Sequence, residues 1–85
     1  MAEALPAITG VQLVRLFRRA GWLEGRRTKE GIFFSRRGLD GQTHTTVIPT
    51  KRRPLTPGTL AAILGPKQSG IGRSGLADLI QQHGL

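Results

Sequence analysis

Paired arginines are the side chains of this chain that are best suited to bind a ligand. Arg26 and Arg27 precede the apolar segment of residues 32–34, and Arg36 and Arg37 follow it. A guanidinium group binds phosphate through two parallel hydrogen bonds and also stacks on nucleic-acid bases. Ile and Phe favour strands, so the sequence predicts an arginine pair at each end of one strand, a geometry suited to a phosphate backbone.

Basic residues far outnumber acidic ones along the whole chain. The 85 residues include 13 Lys and Arg against 5 Asp and Glu, for a formal net charge of +8. Because the acids are too few to pair with every arginine, we expect a nucleic acid or an acidic protein as partner. The candidate phosphate-binding residues are Arg26, Arg27, Lys29, Arg36, Arg37, Lys51, Arg52 and Arg53.

Composition excludes several classes of protein. The chain has no cysteine, which excludes a disulfide framework and a cysteine-rich zinc site and fits a reducing cytoplasm. No apolar run approaches the roughly 20 residues that span a bilayer, and the first residues lack the pattern of a signal peptide. We therefore expect a cytoplasmic protein that does not contact a membrane, and no residue pattern indicates a metal or a cofactor.

Helix signals frame the elements that must position these residues. Thr9 and Gln12 form a capping box at the start of a predicted helix over residues 10–20, and a glycine follows its end. Thr56, with a proline directly after it, predicts the start of a second helix. Ser74 is predicted to cap a short last helix.

Three short strands are predicted between the first two helices. They cover residues 22–27, 32–35 and 42–49. Residues 36–41 are predicted to connect the last two strands as a hairpin, because two glycines and an aspartate supply turn conformations. Helices on one face of such a sheet make an α+β fold with two layers, in the order α-β-β-β-α with a short extra C-terminal helix. Residues 1–8 are expected to be a flexible tail, and residues 9–85 a single domain.

Three segments of the chain occur in an order that is typical of one family. Residues 13–22 read as a first helix that ends in Gly-Trp. Residues 46–64 contain a strand ending in Pro, then a basic loop and Pro-Gly-Thr-Leu-x-x-Ile-Leu, and residues 67–71 read Lys-Gln-Ser-Gly-Ile. Together these segments resemble the small HicA (YcfA-like) toxins of bacterial toxin–antitoxin pairs. The resemblance covers residues 11–79, and the Pro-Gly-Thr-Leu segment is its most specific part.

The resemblance carries implications for both fold and function. It implies a fold like that of the double-stranded RNA-binding domain, which holds RNA by its shape and phosphates. It also implies a type II toxin that acts as a metal-independent mRNA endoribonuclease, with RNA as the ligand of the basic residues. An acidic HicB-like antitoxin is the implied protein partner.

The chain departs from the family pattern in two places. A Gly-Pro insertion at residues 65–66 separates the second helix from the segment that follows it. The family also has a Gly-Ser-His-x-x-aromatic motif, whose histidine is taken as the catalytic group. With Phe34 at the aromatic position, Gly31 stands where that histidine belongs. Lys29 and Glu30 differ from the motif as well, which favours natural divergence over a single introduced substitution.

The missing histidine directs attention to other proton-transfer groups. Metal-independent RNA cleavage needs a base, an acid and cations on the phosphate, and a histidine with its usual pKa of about 6.5 suits the first two roles. His44, on the predicted third strand, is the candidate catalytic residue if its side chain shares a face with Gly31; otherwise it is a packed or surface histidine. His83 is expected to be a surface residue. Lys29 and Glu30 are a further acid/base candidate, unless Glu30 forms a surface ion pair with neighbouring arginines.

Three functions therefore stay open. The first is a HicA-like toxin that cleaves RNA, and the second is a catalytically inactive RNA-binding or protein-binding adaptor on the same fold. A basic DNA-binding domain is the third. Gly31 separates the first from the second, because a glycine side chain carries no group that can transfer a proton.

Overall fold

The structure, a computed structural model, describes residues 7–85. The elements are α1 (Gly10–Arg19), β1 (Leu23–Arg27), β2 (Ile32–Arg37), β3 (Thr43–Ile48), α2 (Pro57–Leu64) and α3 (Gly72–His83). The strands form an antiparallel sheet in the order β1-β2-β3. The predicted α+β fold, with a three-stranded meander between two helices and a further helix at its C-terminal side, is confirmed.

Side-chain capping fixes the start of α1. The Gln12 N–H donates to the Thr9 hydroxyl at 3.0 Å, and the Thr9 N–H donates to Gln12 Oε1 at 2.9 Å, which confirms the predicted capping box. Leu13 and Phe17 bury the inner face of the helix. After the helix, Gly21 adopts a φ of +88°, a conformation that glycine reaches without strain and that turns the chain towards β1.

The central strand β2 divides its side chains between two faces of the sheet. Ile32 pairs with Ile48 and Phe34 with Thr46, and all four are buried on the face that carries the helices. Phe33 lies between them on the opposite face and keeps 37% of its surface exposed. This period of two gives the domain a one-sided core.

Three aromatic side chains connect α1 to the sheet. The ring centroid of Phe17 lies 4.8 Å from that of Trp22 and 5.7 Å from that of Phe34. Trp22 is buried, as expected for a residue that packs between helix and sheet. Its indole N–H has no hydrogen-bond partner within residues 7–85. The guanidinium of Arg36 lies 4.6 Å from the indole centroid, a cation–π contact that covers the outer side of this cluster.

The second strand is longer than the sequence indicated. Arg36 and Arg37 belong to β2, because they continue the pairing with β3 opposite His44 and Thr43. The predicted hairpin connection over residues 36–41 is therefore wrong at its first two residues. The turn is closed instead by a hydrogen bond of 2.7 Å from the Gly38 N–H to the Gln42 carbonyl.

The last helix starts earlier than Ser74, the residue predicted to cap it. It begins at Gly72, and Ile71 occupies the N-cap position without any side-chain hydrogen bond. Gly70 and Gly72 have φ values of +70° and +68°, which turn the chain sharply into the helix. Backbone geometry at glycine, rather than a side-chain cap, sets this boundary.

The folded region also extends further towards the N-terminus than predicted. Ile8 is buried in the core, and its carbonyl accepts a hydrogen bond of 2.8 Å from the Leu55 N–H. The prediction of a flexible tail is therefore wrong for this residue. Residues 1–6 of that predicted tail lie outside the described residues.

Gly10→Ala is expected to destabilise the fold, whereas the matched change Gly58→Ala is not. A Cβ atom at Gly10 would overlap the Pro49 carbonyl oxygen, but one at Gly58 would meet nothing within 4 Å. Overpacking costs about 1–3 kcal/mol, and alanine gains up to about 1 kcal/mol over glycine in a helix. Urea denaturation followed by circular dichroism measures both changes. Equal free energies of unfolding for the two variants would contradict the close approach of α1 to Pro49.

Candidate nucleic-acid interface

Four arginines from three parts of the chain line one depression of about 290 Å³ beside α1. Arg15 and Arg18 come from α1, Arg27 from the end of β1 and Arg52 from the loop before α2. We call this depression the arginine pocket. Its remaining walls are Val11, Val14, Ile32 and Thr50. Arginines that are far apart in sequence thus line a common space.

Backbone contacts with the start of α1 hold the loop that carries Arg52. The Val11 N–H donates to the Lys51 carbonyl at 3.1 Å, and Thr9 forms an isolated bridge with Pro54. The first N–H groups of a helix lack partners within the helix, so this bond satisfies one of them. The close approach of Gly10 to Pro49 allows this bond. The loop therefore lies against the helix that carries Arg15 and Arg18.

One carboxylate borders the arginine pocket. Arg18 donates to both oxygens of Glu24, at 2.6 Å from Nε and 3.0 Å from an Nη nitrogen. This hydrogen bond is the main cause that lowers the pKa of Glu24, and the charge of Arg27 adds to it. Within residues 7–85 no acid pairs with Arg15, Arg27 or Arg52. The pocket therefore keeps a net positive charge that suits phosphate groups.

Further basic residues extend the surface around the arginine pocket. Lys51, Arg52 and Arg53 line a neighbouring depression of about 540 Å³, so Arg52 belongs to both. Arg26 and Lys29 lie at the same end of the sheet, and both are exposed. Arg26 is the second-last residue of β1, and Lys29 lies in the connection to β2. Six of the eight predicted residues thus gather at one end of the sheet.

The other two predicted residues lie at the opposite end. Arg36 stacks on Trp22 on the face with the helices, and Arg37 lies on the uncovered face opposite Thr43. Since β2 has six residues and a strand rises about 3.3 Å per residue, the two basic ends lie roughly 17–20 Å apart. The predicted placement of arginine pairs at both ends of one strand agrees with the structure, but the two pairs do not form one continuous patch.

Gly31, at the position of the missing histidine, has no room for a side chain. It has a φ of +145°, and a Cβ atom there would overlap the Ile48 carbonyl group. The glycine is thus required by the close pairing of β2 with the end of β3. A histidine at this position is incompatible with the present backbone.

His44 lies at the other end of the sheet from Gly31. It pairs with Arg36, five residues along β2 from Gly31, which corresponds to roughly 17 Å. The prediction that the His44 side chain lies close enough to Gly31 to take the place of a histidine there is therefore wrong. The separation follows from the short hairpin turn, which brings the start of β3 next to the end of β2.

The surroundings of His44 form a small polar corner. Its Nε2 lies 3.7 Å from Asp40 Oδ1, beyond the length of a hydrogen bond, and the ring is half-buried. Gly38 and Gly70 approach the imidazole closely from two sides. An imidazole, a carboxylate and the guanidinium of Arg36 on the paired strand thus occur together at this end of the sheet.

Lys29 and Glu30, the second acid/base candidate, lie in the turn between β1 and β2. The Thr28 hydroxyl donates to the Glu30 carboxylate at 3.2 Å and accepts from the Glu30 N–H at the same distance. In the described residues Glu30 forms no ion pair with Arg26 or Arg27, so the predicted surface ion pair is wrong. Within residues 7–85 no group of three His, Cys, Asp or Glu side chains is placed to hold a metal ion.

Sequence reasoning missed two residues of the arginine pocket, Arg15 and Arg18. Neither is among the eight candidate phosphate-binding residues identified from the sequence. Their spacing of three residues was the available signal, because residues three apart on a helix lie side by side. Only the tertiary fold brings Arg27 and Arg52 to the same place.

Comparisons with protein-family models, with curated proteins and with solved structures found no match for this chain. The HicA resemblance therefore depends on its three sequence segments alone. None of the helices within residues 7–85 has the length and apolar character needed to cross a membrane.

Restoring the motif histidine with Gly31→His is expected to destabilise the fold. The positive φ costs about 1–3 kcal/mol for a residue with a side chain, and the overlap with Ile48 adds about 1–3 kcal/mol. The matched control is Gly41→Ala, at a φ of +80° where a Cβ atom meets nothing within 4 Å. It should lose only about 1–2 kcal/mol. Chemical denaturation checks both, and a Gly31→His variant as stable as the parent chain would refute this steric account.

Proposed function

We propose that this chain is a HicA-like RNA-binding protein that holds the RNA backbone with its arginine pocket and the basic loop beside it. The observation that carries the proposal is that Arg15, Arg18, Arg27 and Arg52 line one depression, where Glu24 is the acid that borders it among residues 7–85. Arg18 is engaged by Glu24, whereas the guanidinium groups of Arg15, Arg27 and Arg52 can each bind a phosphate through two hydrogen bonds. Several such contacts together release the counterions that surround the backbone.

The proposed contact has a clear physical consequence. Binding that depends on phosphates weakens steeply as the salt concentration rises, because released counterions must be recaptured. Lys51 and Arg53 would contact phosphates beyond those in the pocket, since their depression shares Arg52 with it. The same positive surface is complementary to an acidic protein, so a HicB-like antitoxin would compete with RNA for it.

A second candidate function is metal-independent cleavage of RNA at the opposite end of the sheet. The observation that favours it is the corner formed by His44, Asp40 and Arg36. In such a reaction the imidazole would take the proton of the 2′-hydroxyl as that oxygen attacks phosphorus, while the guanidinium would stabilise the phosphate charge. The bond from phosphorus to the 5′ oxygen would break to leave a 2′,3′-cyclic phosphate, and the protonated imidazole would return the proton to the departing 5′ oxygen directly or through a water molecule. The lack of room for a histidine at Gly31 makes RNA binding without cleavage the better-supported function.

Arg15→Gln and Arg27→Gln should each weaken RNA binding and flatten its salt dependence. Loss of one phosphate contact lowers the slope of log K against log salt by about 0.7–0.9. Arg19→Gln is the matched control, because Arg19 lies on the same helix but donates to the His83 carbonyl at 3.0 Å instead of lining the pocket. Fluorescence anisotropy with labelled RNA at several salt concentrations measures the slopes. Equal slopes for all three variants would remove the arginine pocket from the interface.

RNA incubated with the purified chain in EDTA is expected to be recovered intact. The reason is that no proton-transfer group stands at Gly31, the motif position. Denaturing gel electrophoresis reads the result, with His44→Ala as the companion variant. RNA cleavage by the parent chain that is lost in His44→Ala would show that the function is cleavage rather than binding alone. Tighter binding to duplex DNA than to RNA would contradict both candidates and favour a DNA-binding domain.

A further inference from the structure

The face of the sheet that carries no helix has a composition of its own. Its side chains alternate along β2 and β3 with those of the face that carries the helices, Leu23 of β1 pairs beside them, and all are exposed or half-buried. We call this surface the open face. Its members are Leu23, Phe33, Ser35, Arg37, Thr43, Thr45 and Val47. Apart from the arginine, the set combines apolar side chains with small hydroxyl groups.

Phe33 stands at the centre of the open face. It pairs with Val47 on β3, and its ring leans over Gly25, where the Cβ of any other residue would lie 3.0 Å from the ring carbon Cδ1. The glycine thus leaves space for the ring, and the hydroxyl side chains of Ser35 and Thr45 are too short to cover it. An exposed aromatic ring on such a flat floor is the kind of platform on which unpaired bases stack.

A groove of about 440 Å³ begins at Phe33 and runs past the outer edge of β3. Thr45 and Val47 form its floor, and Lys67 and Gln68 form its far wall. Its volume lies in the range of pockets that hold small molecules or single building blocks of a polymer. The lysine supplies a positive charge beside the aromatic ring, and Arg37 supplies another at the far end of the same face. Glu30, whose carboxylate accepts from Thr28, is the acid at the rim.

We infer that the open face binds single-stranded RNA, with a base stacked on Phe33, the neighbouring phosphate held by Lys67, and a phosphate further along the strand held by Arg37, roughly 13 Å along β2 from Phe33. The inference deepens the proposed RNA-binding function and rests on it. A base within a duplex is covered on both sides by its neighbours, so Phe33 selects unpaired strands. The arginine pocket contacts phosphates of single-stranded and double-stranded RNA alike, whereas the open face adds a preference for single strands.

The combination of groups on the open face favours a single-stranded nucleic acid over a protein as its occupant. The exposed ring of Phe33 has Lys67 beside it, and Arg37 lies further along the same face. An aromatic ring offers a surface for a base, and the two positive groups complement a phosphate backbone.

The test compares affinity for a short oligouridylate with affinity for a blunt RNA duplex of equal length. Phe33→Ala should weaken binding of the oligouridylate about 5- to 150-fold, the value of one base–aromatic stack, and leave duplex binding unchanged. Phe33→Tyr keeps an aromatic ring and should retain the affinity. Leu39→Ala is the matched control, because Leu39 is a fully exposed apolar residue in the hairpin loop, away from the open face.

Salt dependence separates stacking from charge. Stacking releases no counterions, so Phe33→Ala should lower the affinity by the same factor at every salt concentration and leave the slope unchanged. Circular dichroism melts establish that each variant is folded. If the parent chain binds no RNA, the proposed function fails and this inference fails with it.

Other results would overturn this inference alone. RNA binding by the parent chain that is insensitive to Phe33→Ala would do so, as would an equal loss for single strands and duplexes. A parent chain that is dimeric by light scattering and becomes monomeric in Phe33→Ala would assign the open face to a second copy. A Phe33→Ala variant that loses binding to an acidic protein but retains RNA binding would assign the open face to a protein partner.

Discussion

The alternation of side chains along β2 is the constraint on which the rest of the molecule depends. Ile32 and Phe34 are buried under the helices, so Phe33 must face away from them, and Arg36 must lie beside Trp22. A shift of one residue in the pairing with β3 would exchange the two faces and expose the core. The same register fixes the ends of the strand, where the basic residues gather. The one-sided core and the positions of the basic residues are thus set by a single strand alignment.

Much of the fold could be predicted from local sequence signals. The capping box of Thr9 and Gln12 and the N-cap of Thr56 followed by proline are short-range interactions, and the structure shows both. The end of β2 and the start of α3 were harder to predict. The end of β2 depends on cross-strand pairing at Arg37, and the start of α3 depends on glycine conformations near residue 71.

The candidate binding surface was predictable only in part. The sequence identified the basic loop and the arginine pairs, but the arginine pocket also needs the hydrogen bond between Val11 and Lys51, which joins distant segments. The distance between Gly31 and His44 follows from the length of the hairpin turn. The steric closure of Gly31 had no signal in the sequence, because it arises from the backbone of a different strand. The basic surface and the backbone around Gly31 therefore depend on different contacts in the fold.

The stacking of Arg36 on Trp22 gives the molecule an optical property. Trp22 is the only tryptophan in the chain, so its emission reports on one place. The indole is buried beside Phe17, and a guanidinium lies 4.6 Å from its centroid. Unfolding, or displacement of that guanidinium, would therefore change the polarity around the indole and the quenching of its emission. Anions that draw Arg36 away would be visible as a change in intrinsic fluorescence without any attached dye.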